Sequence, residues 1–102
     1  MNDFHRALLE AVDEGLLQIS EKVKTSLYAF LEDYRGLKRE EIPFKLEEFT
    51  KGLRLIFGEG ADIILKWIVR ALYAKLSLTF EEKPEWTFKE YVEYAKKSAR
   101  VA

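Results

Sequence analysis

Between Gly60 and Leu76 the chain places charge at Asp62, Lys66 and Arg70, four residues apart, and fills most of the rest with Ile, Leu, Val, Trp and Tyr. A spacing of four returns to one side of an α-helix, so these charges form one narrow solvent stripe. Ile63, Ile64, Leu65, Trp67, Ile68, Val69, Leu72, Tyr73 and Leu76 cover the remaining circumference. A helix apolar on so many sides needs neighbours on several of them. The segment therefore predicts a largely buried fourth helix at the centre of a bundle or at an interface, and every other element must cover it.

The other segments have the pattern to do so. Phe4, Ala7, Leu8, Ala11, Val12 and Leu16 make one helical stripe, with Asp3 placed to cap it and Gly15 near its end. Ser20 caps a second helix, whose inner face is Val23, Leu27, Phe30, Leu31 and Tyr34, and Gly36 ends it. Residues 38–42 form a single turn, and Pro43 opens a third helix. Leu46, Phe49, Leu53, Ile56 and Phe57 line that helix, Gly52 inside it suits a close approach, and Gly58 stops it. Leu78-Thr79-Phe80 has some strand character, yet one short run makes no sheet. Residues 81–85 are a polar break. Thr87 and Glu90 then match a capping box, with Trp86 placed to staple onto Tyr91. Phe88, Tyr91, Val92, Ala95 and Ala99 form the inner face of a fifth helix, with Lys96, Lys97 and Arg100 in its last turns, where cations suit the helix dipole. The expectation is all-α: a compact bundle of about five helices.

The 102 residues suit one helical domain over 1–102, with a core at 3–77 and a C-terminal extension carrying the fifth helix at 79–102. No basic segment followed by an apolar run opens the chain, and the Ala61–Leu76 window is too short and too charged to cross a bilayer, so neither a signal peptide nor a membrane partner is expected. Cysteine is absent, which excludes disulfides and thiol chemistry and fits a cytoplasmic location. One Asn (Asn2) and one Gln (Gln18) beside abundant Lys and Glu point to a thermophile source.

Chemistry has few candidates. His5 is the only histidine and has no ligand at metal spacing. Glu40-Glu41, Glu47-Glu48 and Glu81-Glu82 are neighbours in sequence, and adjacent residues on a helix diverge by about 100°, so they decorate a solvated face rather than pair as acid and base. Gly58-Glu59-Gly60 lacks the frame of a phosphate loop, and Glu59 and Asp62 disfavour an anion at the next helix. A net charge of −1 gives no field for nucleic acid, and the fourth helix lacks the basic, polar side chains of a recognition helix. No catalytic, cofactor-binding or metal-ligating residue is assigned, and no cofactor is expected.

Aromatic residues make up 14% of the chain, more than the chemistry above uses. Most suit the core, but Leu55 and Tyr94 fall off the inner stripes of their helices. Leu55, Trp67, Tyr73, Trp86 and Tyr94 are the candidate interface residues.

Three stretches, Leu9-Glu10-Ala11-Val12-Asp13-Glu14-Gly15-Leu16, Gly36-Leu37-Lys38-Arg39-Glu40-Glu41-Ile42-Pro43 and Ile56-Phe57-Gly58-Glu59-Gly60-Ala61, give the chain a family resemblance. It resembles a short archaeal all-helical family, the type described as a Nitrosopumilus output domain. The resemblance covers most of residues 4–77 and leaves 79–102 outside. Its motifs are caps, turns and core positions, and no catalytic residue comes with them. It implies an archaeal intracellular protein acting through protein contacts in signalling.

The leading expectation is thus a non-enzymatic helical module whose partner is another protein or a second copy, as a homodimer. The alternatives are a nucleic-acid-binding regulator and a sensor of small apolar ligands held near Trp67.

Overall fold

The computed structural model describes residues 3–101, with side-chain environments for 3–99. Asn2 and the Arg100 side chain lie outside the described residues. The elements are α1 (Asp3–Leu17), α2 (Glu21–Arg35), a 3-10 turn (Arg39–Phe44), α3 (Leu46–Phe57), a second 3-10 turn (Gly58–Gly60), α4 (Ala61–Lys75) and α5 (Phe88–Val101). The chain is an all-α bundle, and no strand occurs among the described residues. Leu78 and Phe80 follow an irregular path and pack against the core.

Local chemistry sets most helix ends. The Ser20 hydroxyl accepts from the Val23 amide at 3.0 Å and starts α2. Gly36 ends it in the left-handed conformation, at φ 62°. Thr87 and Glu90 close the capping box of α5: the Glu90 amide donates to the Thr87 hydroxyl, and the Thr87 amide donates to Glu90 Oε1. Trp86 lies 5.3 Å from Tyr91, ring to ring, as the staple requires. Two boundaries differ from expectation. Asp3 lies within α1 rather than capping it from outside. Pro43 lies inside the 3-10 turn and not at the start of α3. The bonds that close this turn run from the Glu41 amide to Lys38 and from the Lys45 amide to Ile42, so neither needs the N–H that proline lacks.

The main seam joins α1 to α4. Gly15 abuts Ile68, while Glu10 and Glu14 both reach Lys75, so the two helices run antiparallel. Leu8, Ala11, Val12 and Leu16 of α1 are fully buried along this line, as are Ile68 and Leu72 of α4. Seven of the fifteen residues of α4 are buried. Its solvent arc is wider than its charges: Ile63 is 57% exposed beside Asp62, Lys66 and Arg70, and Trp67 is half-buried.

The second helix sits at the edge. Only Leu27 and Leu31 of α2 are buried. Tyr34, expected on its inner face, is 77% exposed and touches Phe30 with its ring. The reason is a narrow contact: Leu31 packs on the bare backbone of Gly52, and Arg35 bridges to Glu48 at 2.9 Å, which leaves the Tyr34 side unopposed. Between α1, α2 and the first 3-10 turn lies a polar clamp. The Tyr28 hydroxyl donates to Asp13 Oδ1 at 2.5 Å, and Arg39 grips both Asp13 oxygens, at 3.1 and 2.6 Å.

The C-terminal segment completes the core. Phe88, Val92 and Ala95 are buried in the same cluster as α1 and α4. Burying Phe88 and Val92 contributes roughly 1.5–3 kcal/mol each. The Phe88 ring meets Phe49 at 6.1 Å, and the Tyr73 hydroxyl donates to the Tyr91 carbonyl at 2.8 Å.

Candidate functional site

Apolar side chains left in solvent concentrate at one end of the bundle. Because Gly15 sits against Ile68 and α1 runs antiparallel to α4, Leu17 and Ile19 come level with the first turn of α4. The three-residue turn Gly58–Gly60 brings the last turn of α3 to the same end. Leu17, Ile19, Leu55, Ile56 and Ile63 are all exposed there, Leu55 at 65%. They are five of the eight large hydrophobic residues exposed among the described ones. Singly exposed apolar side chains are ordinary, but a gathering at one end is not. Trp67 follows Ile63 by one helical turn, so its half-buried ring continues the surface along α4. Two of the charges at this end pair with each other, since Arg54 reaches across to Asp62 at 2.7 Å.

The five candidate interface residues do not form one site. Leu55 and Trp67 belong to the apolar end. Tyr73 does not belong to any surface: it is 3% exposed, and burial pushes its hydroxyl up to about 12. An amphipathic ring on a nearly all-apolar helix turned inward because the Tyr91 carbonyl satisfies its hydroxyl. Trp86 and Tyr94 meet at 5.6 Å and form, with Tyr91, a ring cluster of their own. Tyr94 remains half exposed. Leu17, Ile19, Ile56 and Ile63 are the residues that sequence reasoning missed. Ile56 and Ile63 fell on apolar faces and looked like core, and no periodic signal marks Leu17 at the end of α1 or Ile19 in the turn after it.

A groove of about 650 Å³ runs between α3, α4 and the segment that leads into α5. Its apolar lining includes Leu65, Val69, Phe80 and Trp86. Three contacts hold the segment over the groove. Lys66 pairs with Glu82, the Arg70 guanidinium lies 5.3 Å from the Phe80 ring centre, and Tyr91 Oη both donates to the Lys83 carbonyl and accepts from the Lys83 amide.

A second depression, of about 580 Å³, lies beside Phe44 and His5, whose rings meet edge-on at 4.6 Å. Lys45, Lys89, Lys96 and Lys97 border it, with Glu47, Glu48 and Glu93 interleaved. Mixed signs of this kind make a poor track for phosphates. Burial and then Lys96 hold the His5 pKa below the ordinary histidine value.

Among the described residues no three His, Cys, Asp or Glu side chains gather as a metal site would require. Within the same residues, no helix is long and apolar enough to cross a membrane. Comparisons with protein-family models, curated proteins and solved structures find no match in any of the three.

Proposed function

We propose that the protein is a non-enzymatic helical module that works by docking to another protein chain, and that a second copy of itself is the occupant of its apolar end. The supporting observation is that Leu17, Ile19, Leu55, Ile56 and Ile63 all stand exposed at the end of the bundle that carries the α1–α2 and α3–α4 turns. Apolar area in water is costly, about 25 cal/mol per Å², and a matching face removes it. A like-with-like contact about a two-fold axis needs no partner of opposite charge, and Arg54 and Asp62 at this end already neutralise each other. The expected role is assembly or signal relay through that contact, in keeping with the resemblance to an archaeal output domain.

Sedimentation tests this reading. The wild-type chain should show a concentration-dependent dimer. Leu55→Glu with Ile63→Glu should sediment as a monomer at every concentration, with an unchanged helical circular dichroism spectrum, since both side chains stand in solvent. A wild-type chain that stays monomeric at high concentration would overturn the second-copy reading.

A further inference from the structure

The groove between α3, α4 and residues 78–87 differs from the apolar end in carrying charge around an apolar floor. Five cations line it, Lys51, Arg54, Lys66, Lys83 and Lys89, against three acids, Glu47, Asp62 and Glu82. The lining is therefore positive by two, on a chain whose net charge is −1. Three of the cations already have partners: Arg54 with Asp62, Lys66 with Glu82, and Lys83 with Glu81. Lys51 and Lys89 are exposed, and among the described residues neither closes an ion pair across the groove. Glu47 is the one lining acid left to oppose them.

The size and chemistry of the floor complete the picture. Small-molecule sites commonly enclose about 300–1,000 Å³, with apolar walls and a few placed polar groups. This groove falls within that range. Leu65 and Val69 supply aliphatic floor from α4, and Phe80 and Trp86 supply two rings from the opposite wall. We propose that the groove binds a small amphipathic monoanion, an alkyl or aryl carboxylate, with its apolar body on Leu65, Val69, Phe80 and Trp86 and its carboxylate held by Lys51 and Lys89. The groove is separate from the apolar patch, since none of the five residues of that patch lines it, although Arg54 and Asp62 border both.

The test is an NMR titration of the full chain with decanoate, decanol and decyltrimethylammonium, all below their aggregation thresholds. Decanoate should produce saturable shifts at the amides of Leu65, Val69 and Phe80 and at the Trp86 indole, with little change at Leu55 or Ile63. Lys51→Glu with Lys89→Glu should weaken decanoate binding about tenfold and leave decanol binding unchanged, since two attractions become repulsions of modest size. The neutral pair Lys51→Gln with Lys89→Gln should fall between. Thermal melts of these surface variants control for folding. The proposal is overturned by an absence of saturable shifts, by shifts confined to the apolar end, by equal affinity for the cationic probe, or by undiminished decanoate binding in the Glu variants.

Discussion

Gly15 has no room for a side chain: a Cβ placed on it would stand 2.5 Å from Ile68 Cγ1 and 3.2 Å from the Ile68 amide nitrogen. This contact brings the backbones of α1 and α4 together and sets the register that carries Leu17 and Ile19 to the exposed end. Gly15→Ala gains helix propensity, up to ~1 kcal/mol, but must push against backbone. Overpacking of that kind typically costs about 1–3 kcal/mol, so the net change is destabilising. Gly52→Ala meets only the Leu31 Cδ2 methyl, at the tip of a flexible side chain, and should cost less. Urea unfolding of the two variants should rank Gly15→Ala as the less stable.

The Asp13 clamp predicts an acid-side loss of stability. Burial raises the Asp13 pKa, and hydrogen bonds from Arg39 and Tyr28 outweigh it, so the carboxyl sits below its ordinary value. A folded-state pKa below the unfolded one contributes stability that is present above the unfolded value, near pH 4, and is lost as pH falls through the folded value. Asp13→Asn should therefore be less stable than wild type at neutral pH, by about 1–2 kcal/mol for the charge-assisted bonds. The gap should close as the pH drops below about 4. Denaturant titrations of both proteins across that range measure it.

Ser77 is the one described non-glycine residue in the left-handed region, at φ 58°. It ends α4, where the Leu78 amide donates to the Tyr73 carbonyl at 2.9 Å. Glycine adopts this conformation without a Cβ penalty, which is about 1 kcal/mol for other residues. Ser77→Gly should raise the melting temperature by a few degrees, since roughly 1 kcal/mol shifts it by about 4–8 °C in a domain this size.

Tyr91 fixes the segment over the groove through both polar groups of Lys83, at 2.7 and 2.9 Å. Tyr91→Phe removes both bonds and leaves the ring stack with Phe80 in place. The Lys83 amide should then exchange with solvent faster, by about tenfold for roughly 1.4 kcal/mol of local stability. Exchange at Leu8 and Ile68, in the core, should change far less.

Local signals in the sequence placed most of the fold. Ser20, Gly36, Gly58 and the Thr87–Glu90 box act within a few residues of themselves, so their chemistry is readable where they stand. The helical spacing of Leu8, Ala11, Val12 and Leu16 marked their burial correctly. The misread residues are those whose fate depends on distant neighbours. Tyr34 and Ile56 share stripes with buried residues yet stand 77% and 43% exposed, because helical spacing does not tell where the neighbouring helix stops. Tyr73 was a candidate for the surface until a carbonyl eighteen residues away satisfied its hydroxyl. Asp13, Tyr28 and Arg39 are separated by fifteen and twenty-six positions from Asp13, so no local spacing reveals the clamp. Only Leu55 and Trp67 of the five candidate interface residues fall at the apolar end, because periodicity tells which faces are apolar and not which are left uncovered.

The measurement that addresses the docking surface most directly is an isotope-filtered NOE experiment on an equal mixture of labelled and unlabelled chains. Intermolecular NOEs should connect the methyl groups of Ile19, Leu55, Ile56 and Ile63 in one copy to the same set in the other, and should vanish in the Leu55→Glu, Ile63→Glu variant. Intermolecular NOEs that arise elsewhere on the surface, or none at concentrations where the chain is abundant, would contradict the assignment of that end as the contact between copies.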